Sequence, residues 1–319
     1  MQTNSPTSTF FPKLALATAL LTAGLIVLGA VVRVTDSGLG CGNAWPLCDG
    51  QIIPPLDNLT AWIEWSHRLF ASLIGLFGLV MLYFAGRIYR KRNSRVFSVT
   101  VAAAILFFAQ SALGALVVVL DLPPTMVTVH LGTAMLLFAA LLIVGILAQF
   151  RPVHTYERDN ITTLAYITTA LALVIILTGA LVRGSGATLA CTTYPLCNGA
   201  VFPFDQGQLQ TVHMMHRFAV VGLGVSLALL VWYVLRGRDD RNLRLLTIGA
   251  MVAYLAQAGV GAVFVLTEAE AVWGAAHVGL AATTWGLLVA VCTLDTLNSR
   301  ENAANQEARE WTPQSEASQ

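Results

Sequence analysis

Four histidines occupy matched places in a chain that repeats itself. His67 opens "HRLFASLIGL" and His216 opens "HRFAVVGLGV"; His130 sits in "VHLGTAMLLFAALL" and His277 in "AHVGLAATTWGLLV". One imidazole in an apolar segment reads as an interfacial amphipath with a hydrogen bond. Four in repeat register point to ligation, because ionisable groups inside a membrane are expensive and usually functional. Each repeat supplies two, at one depth and on two helices. Two such imidazoles fit a bis-imidazole haem, with the iron midway and one nitrogen on each axial side. Zinc fits less well, since it takes four ligands, or three plus water.

The repeats differ beside these histidines. The first reads "IEWSHR" and the second "VHMMHR", so Glu64 stands where the other copy has His213. Three helical residues separate each from the following His67 or His216, which puts them on neighbouring faces of one turn. A carboxyl group there has the chemistry of a base, an acid or a cation stabiliser; a glutamate at a helix start that merely favours the helix dipole is the plainer alternative. The broken symmetry suggests a fixed cofactor in the second pocket and a reacting molecule in the first. Arg68 and Arg217 directly follow His67 and His216. They suit haem propionates, which arginine binds in a fork, and equally suit snorkelling to lipid headgroups. Arg33 and Arg183 lie at span boundaries, where arginine is ordinary. Cys41 and Cys48 bracket "GNAWPL", and Cys191 and Cys197 bracket "TTYPL". Neither spacing is that of covalent haem attachment or a common zinc knuckle. A disulfide closing each short loop, or a redox-active pair, remain the two readings. Cys292, alone in the last apolar run, reads as a packing residue.

The elements that position these groups are membrane spans. The chain has 319 residues, 56% hydrophobic and 11% charged, far from the balance of a soluble domain. Apolar runs long enough to cross a bilayer lie near 12–32, 64–87, 97–119, 126–149, 160–182, 211–235, 244–266 and 272–294. The first reads as a span rather than a cleaved leader, because it is long and lacks a clean small-residue cleavage site. "RIYRKRNSR", "RPVHTYER" and "RGRDDRNLR" carry the Lys and Arg and follow the second, fourth and sixth spans. The positive-inside rule therefore puts them and both termini in the cytoplasm, with the cysteine loops outside, where a bacterial envelope is oxidising. A net charge of +1 gives no reason to expect a nucleic-acid partner.

"LGAVVRVTDSGLGCGNAWPLCDGQIIP" aligns with "TGALVRGSGATLACTTYPLCNGAVFP", and "QSALGALVVVL" with "QAGVGAVFVL". Each copy contains four spans, an even number, so both enter the membrane the same way. The expected fold is all-α integral membrane: eight transmembrane helices in two tandem, pseudo-symmetric four-helix bundles related by an axis along the membrane normal. The expected boundaries are 1–150, 151–294 and a disordered cytoplasmic tail, 295–319, which is polar throughout.

The words "GLGCGNAWPLC", "EWSHR", "VHLGTA", "HRFAV" and "AAHVGLA" together resemble the haem A synthase family, over roughly residues 12 to 294. The resemblance implies a membrane oxidoreductase that oxidises a methyl group of haem O to formyl through hydroxylated intermediates, with water as oxygen source. It implies a haem b cofactor on His216 and His277, the substrate haem on His67 and His130, an essential Glu64 and an outside cysteine pair at Cys41 and Cys48. It also implies haem O synthase as partner, a plasma-membrane location and a capacity to form homo-oligomers. Without the resemblance two further readings stand. A di-haem b-type electron-transfer cytochrome needs two equivalent pockets, against which Glu64 speaks. A transporter suits the repeats, but broken helices at the midplane are missing.

Overall fold

The computed structural model describes residues 10–43, 45–150 and 156–310, the stretch 300–310 as helix only. Residues 1–9, 44, 151–155 and 311–319, which hold the N-terminal stretch, one position of the first cysteine loop, the start of the expected second half and the end of the expected tail, lie outside the described residues. Eight helices run in chain order: α1 Phe10–Val34, α2 Leu59–Ile88, α3 Ser94–Val119, α4 Pro124–Gln149, α5 Asn160–Gly184, α6 Gln208–Gly237, α7 Arg241–Leu266 and α8 Ala271–Glu310. All eight are long and apolar enough to cross a membrane. This is a multi-pass membrane protein without a named strand among the described residues.

Each half closes on itself. Helix α1 packs on α2, α2 on α3, α3 on α4 and α4 back on α1; α5 to α8 repeat the same ring. In each ring the two histidine-bearing helices are diagonal partners, α2 with α4 and α6 with α8. The rings join where α1 and α4 meet α5 and α8, so α4 and α8 are the most buried of the spans. Phe138, Met135, Trp285 and Leu288 are buried in that seam, and the Trp285 indole donates to the Met135 carbonyl at 3.0 Å. A buried indole N–H needs such a partner.

The helix ends follow local signals. α2 begins after Pro54-Pro55, with the Asn58 side chain accepting the Ala61 N–H at 3.0 Å, an ordinary N-cap. Capping starts the helix five residues before the apolar run does, so Glu64 lies inside the helix rather than at its start. Asp159 and Asp240 cap α5 and α7 in the same way.

The expected break at residue 295 is not there. Helix α8 continues through it, and Asp295, Thr296, Asn298 and Ser299 are buried. Apart from Asn298 Oδ1, their side-chain polar atoms have partners. Asp295 accepts from Arg238 at 2.8 Å, from the Tyr156 hydroxyl at 2.8 Å and from Thr162 at 2.5 Å. The Arg238 guanidinium also bonds Asp159 at 2.7 and 2.8 Å and lies 3.9 Å from the Tyr156 ring centroid. Buried charge is tolerable when paired and hydrogen-bonded, so a polar sequence here marks an interior network, not a loose tail.

Candidate functional site

Both cysteine loops have one build. Cys41 is bonded to Cys48 and Cys191 to Cys197, and the four residues are buried. Asp49-Gly50 and Asn198-Gly199 have positive φ and turn the chain back, so that Cys48 pairs with Gln51 and Cys197 with Ala200. Asp-Gly and Asn-Gly are the dipeptides this two-residue turn prefers. Both loops carry a cis proline, Pro46 and Pro195.

Beneath the loops lie the four imidazoles, each about two turns into its helix. His67 and His130 stand on the diagonal helices α2 and α4, and His216 and His277 on α6 and α8. Every one packs against a glycine of the preceding helix. A Cβ placed on Gly29, Gly114 or Gly179 would stand 3.1 Å from Cε1 of His67, His130 or His216, and one on Gly261 would stand 2.9 Å from Cε1 of His277. Four close approaches of the same kind make four equivalent cradles.

Hydrogen bonding then separates the halves. The Thr178 hydroxyl donates to the Ile175 carbonyl at 2.8 Å, which leaves its lone pair for His216 Nδ1–H at 2.9 Å. His277 Nδ1–H donates to the Gln257 carbonyl at 3.0 Å. Both bonds fix the tautomer, so both Nε2 atoms keep a free lone pair. A histidine ligand whose other N–H is held by an acceptor is oriented and made more basic. In the first half, Nδ1 of His67 and of His130 are buried without a partner, and His130 Nε2 lies 3.2 Å from the Gln110 amide. The position aligned with Thr178 is Leu28, which offers His67 nothing. The second pair therefore has ring nitrogens free to hold a ligand in a fixed orientation, and the first pair is left without such anchoring. Among the described residues no group of three or more His, Cys, Asp or Glu gathers as a metal cluster.

Glu64 is 3% exposed. Its Oε2 accepts the Cys41 N–H at 2.8 Å, and its Oε1 is paired with Arg68. Gly40 makes this possible: a Cβ there would collide with the backbone of Thr60 and Ala61 on α2. The second half has Ala190 at that place and no such bond; His213 instead donates from Nδ1 to the Ala187 carbonyl at 2.9 Å. Arg68 also reaches the Leu47 carbonyl at 3.2 Å. Arg217 donates to the carbonyls of Thr193, Pro195 and Leu196 at 2.9, 3.1 and 3.1 Å. Both guanidiniums, expected to meet propionates or headgroups, are thus engaged with the loops over their own pockets.

Sequence reasoning missed the four cradle glycines, the Thr178–Leu28 difference and Gly40. The signal for the first was present: "GAV", "GAL", "GAL" and "GAV" recur on all four odd-numbered helices.

Two closed four-helix rings, each with a histidine on both of its diagonal helices, define an all-helical, multi-pass membrane protein of duplicated build. Residues 12–289 match the cytochrome oxidase assembly protein family, COX15-CtaA, and the chain belongs to that family. It is 32% identical over 293 residues to a protein named heme A synthase from Symbiobacterium thermophilum, covering 88% of this chain and 93% of the relative. A heme A synthase of Shouchella clausii is 32% identical over 301 residues, covering 91% and 98%. One of Geobacillus kaustophilus is 29% identical over 311 residues, covering 94% and 96%.

Proposed function

We propose that the chain is a haem A synthase: it converts haem O to haem A by oxidising one haem methyl group to formyl. The net change is R–CH3 + H2O → R–CHO + 4 H+ + 4 e−, with water as the oxygen source and a separate acceptor for the electrons. The observation that carries the reading is the asymmetry between two otherwise matched pockets. Glu64, buried and hydrogen-bonded, has no counterpart carboxylate in the second half, where His213 stands.

In this reading the N-terminal half, 1–150, holds the substrate haem between His67 and His130. The half 151–294 holds a resident haem b between His216 and His277, which supplies one-electron chemistry when bound. Fixed tautomers at His216 and His277 suit a cofactor that stays, and unpartnered Nδ1 atoms at His67 and His130 suit a substrate that enters and leaves. Glu64 places a negative charge beside the substrate pocket, where it stabilises positive charge developing at the oxidised carbon or orients the attacking water. The protein sits in the plasma membrane with both termini cytoplasmic and the cysteine loops outside. Haem O synthase is the natural donor of the substrate, and the chain is expected to form homo-oligomers.

The test is co-expression with a haem O synthase, followed by extraction and mass identification of the haems. Haem B together with haem A or a hydroxylated haem O is expected. Haem B alone, at two per chain despite available haem O, would favour the di-haem electron carrier and end this reading.

A further inference from the structure

The two arginines at the span boundaries come together where the halves meet. Arg33 and Arg183 occupy equivalent repeat positions, and both lie near one oxygen of Asp36, at 3.9 and 3.8 Å. Those separations are too long for hydrogen bonds, and the Asp36 side chain is 80% exposed. An exposed ion pair of this kind contributes little. One screened carboxylate therefore faces two guanidiniums, and Nε of Arg183 is buried with no hydrogen-bond partner. Buried donors are nearly always satisfied, so this one marks a missing acceptor.

Their place in the helices says what the acceptor is. Arg33 follows Gly29 by four residues on α1, and Arg183 follows Gly179 by four on α5. Residues four apart share a helix face, one turn or about 6 Å along the axis. Gly29 and Gly179 are the glycines against which His67 and His216 pack. Each arginine thus stands one turn from an axial imidazole, toward the cysteine loops. The other two cradle helices carry Val118 and Val265 at that step, so each half has one arginine at this level, on the helix facing the seam. Arg68 and Arg217 are occupied by loop carbonyls.

We infer that Arg33 and Arg183 form a paired carboxylate site that receives haem propionates, Arg33 from the molecule between His67 and His130 and Arg183 from the one between His216 and His277. The inference rests on the haem-binding reading above and adds to it which cations hold the acid groups. It makes the seam between the halves the meeting point of the two haems' charged edges. The site selects a flat ligand with free carboxylates and sets its rotation about the iron–imidazole axis.

The test uses the full chain produced without haem O synthase, freed of haem and titrated with haem B or with haem B dimethyl ester. Wild type, Arg183→Gln and Arg183→Lys are compared by Soret titration and thermal unfolding. For free haem B, Arg183→Gln is expected to bind about tenfold or more weakly, the scale of one charge-assisted hydrogen bond. Arg183→Lys, which keeps the charge without the fork, should fall between. For the dimethyl ester the three proteins should bind alike. Equal loss with acid and ester, or no loss with either, would overturn the assignment and leave Arg183 to the fold or to a lipid headgroup. If wild type binds no haem at all, the haem-binding reading itself fails, which is a different result.

Discussion

Replacing Glu64 with glutamine separates its charge from its shape. The carboxylate is 3% exposed, accepts the Cys41 N–H at 2.8 Å and pairs with Arg68, whose side chain is 17% exposed. An amide of the same size still accepts from Cys41 but no longer neutralises Arg68. A hydrogen bond to a charged group contributes about 1.5–3 kcal/mol; with Arg68 partly solvated, the lower part of that range applies, so Glu64→Gln should cost about 2 kcal/mol of stability. Glu64→Ala also leaves the Cys41 N–H without its acceptor and should cost more, about 3 kcal/mol, the low end for breaking a buried pair because Arg68 keeps the Leu47 carbonyl and some solvent. Product formation should suffer more than folding. Removing one preorganised electrostatic group lowers turnover about 100- to 1000-fold. The assay is quantitation of haem O, hydroxylated haem O and haem A extracted from Glu64→Gln after co-expression with haem O synthase. Haem O should accumulate on the protein while the haem B content stays at the wild-type level. Wild-type amounts of haem A from Glu64→Gln would refute a chemical role for the charge. Loss of bound haem O itself would make Glu64 a support for the loop rather than a participant.

Three further outcomes follow from the same structure. Gly40→Ala puts a methyl group into the Thr60 and Ala61 backbone, so the loop must move and the Cys41–Glu64 bond open; haem A should fall as in Glu64→Gln, whereas the matching Ala190→Gly should leave it unchanged, both read by haem extraction. Gly261→Val fills the cradle beside His277, and the resident haem absorbance per chain should drop at least several-fold while the helical circular dichroism is kept. Asp159 is held below the usual carboxylate range first by its hydrogen bond to Arg238. A depressed folded value adds stability above the unfolded value of about 3.9 and loses it as pH falls through the folded one. Asp159→Asn should therefore unfold at lower temperature than wild type at neutral pH, with the gap closing below about pH 4; a gap independent of pH would exclude this charge as its source.

Much of the fold was legible because hydropathy and repetition are long-range signals. The eight runs, the evenness of four spans per copy and the histidines in register all survive without coordinates. The helix starts were harder: Asn58 extends α2 into polar sequence, and hydropathy does not count a cap. The stretch after residue 294 misled for a related reason. Asp295 and Asn298 look like surface, yet Arg238, Tyr156 and Asp240 arrive from other elements to match them, and such pairings have no local signature. At the site, Glu64 stood out through broken symmetry and its pairing with Arg68 follows helical spacing, but its other partner is the backbone N–H of Cys41, and a backbone donor is invisible in a pattern of side chains. Thr178 opposite Leu28 was readable in the aligned repeats; its meaning depended on where His216 Nδ1 points.

The central claim is that two histidine pairs hold two haems with different fates. It is tested most directly by haem identification in His67→Ala and His216→Ala after co-expression with haem O synthase. The account predicts that His67→Ala keeps about one haem B per chain and forms no haem A, and that His216→Ala loses that haem B. If instead both variants lose the same haem in the same proportion, the pockets are equivalent and the division between substrate and cofactor is wrong.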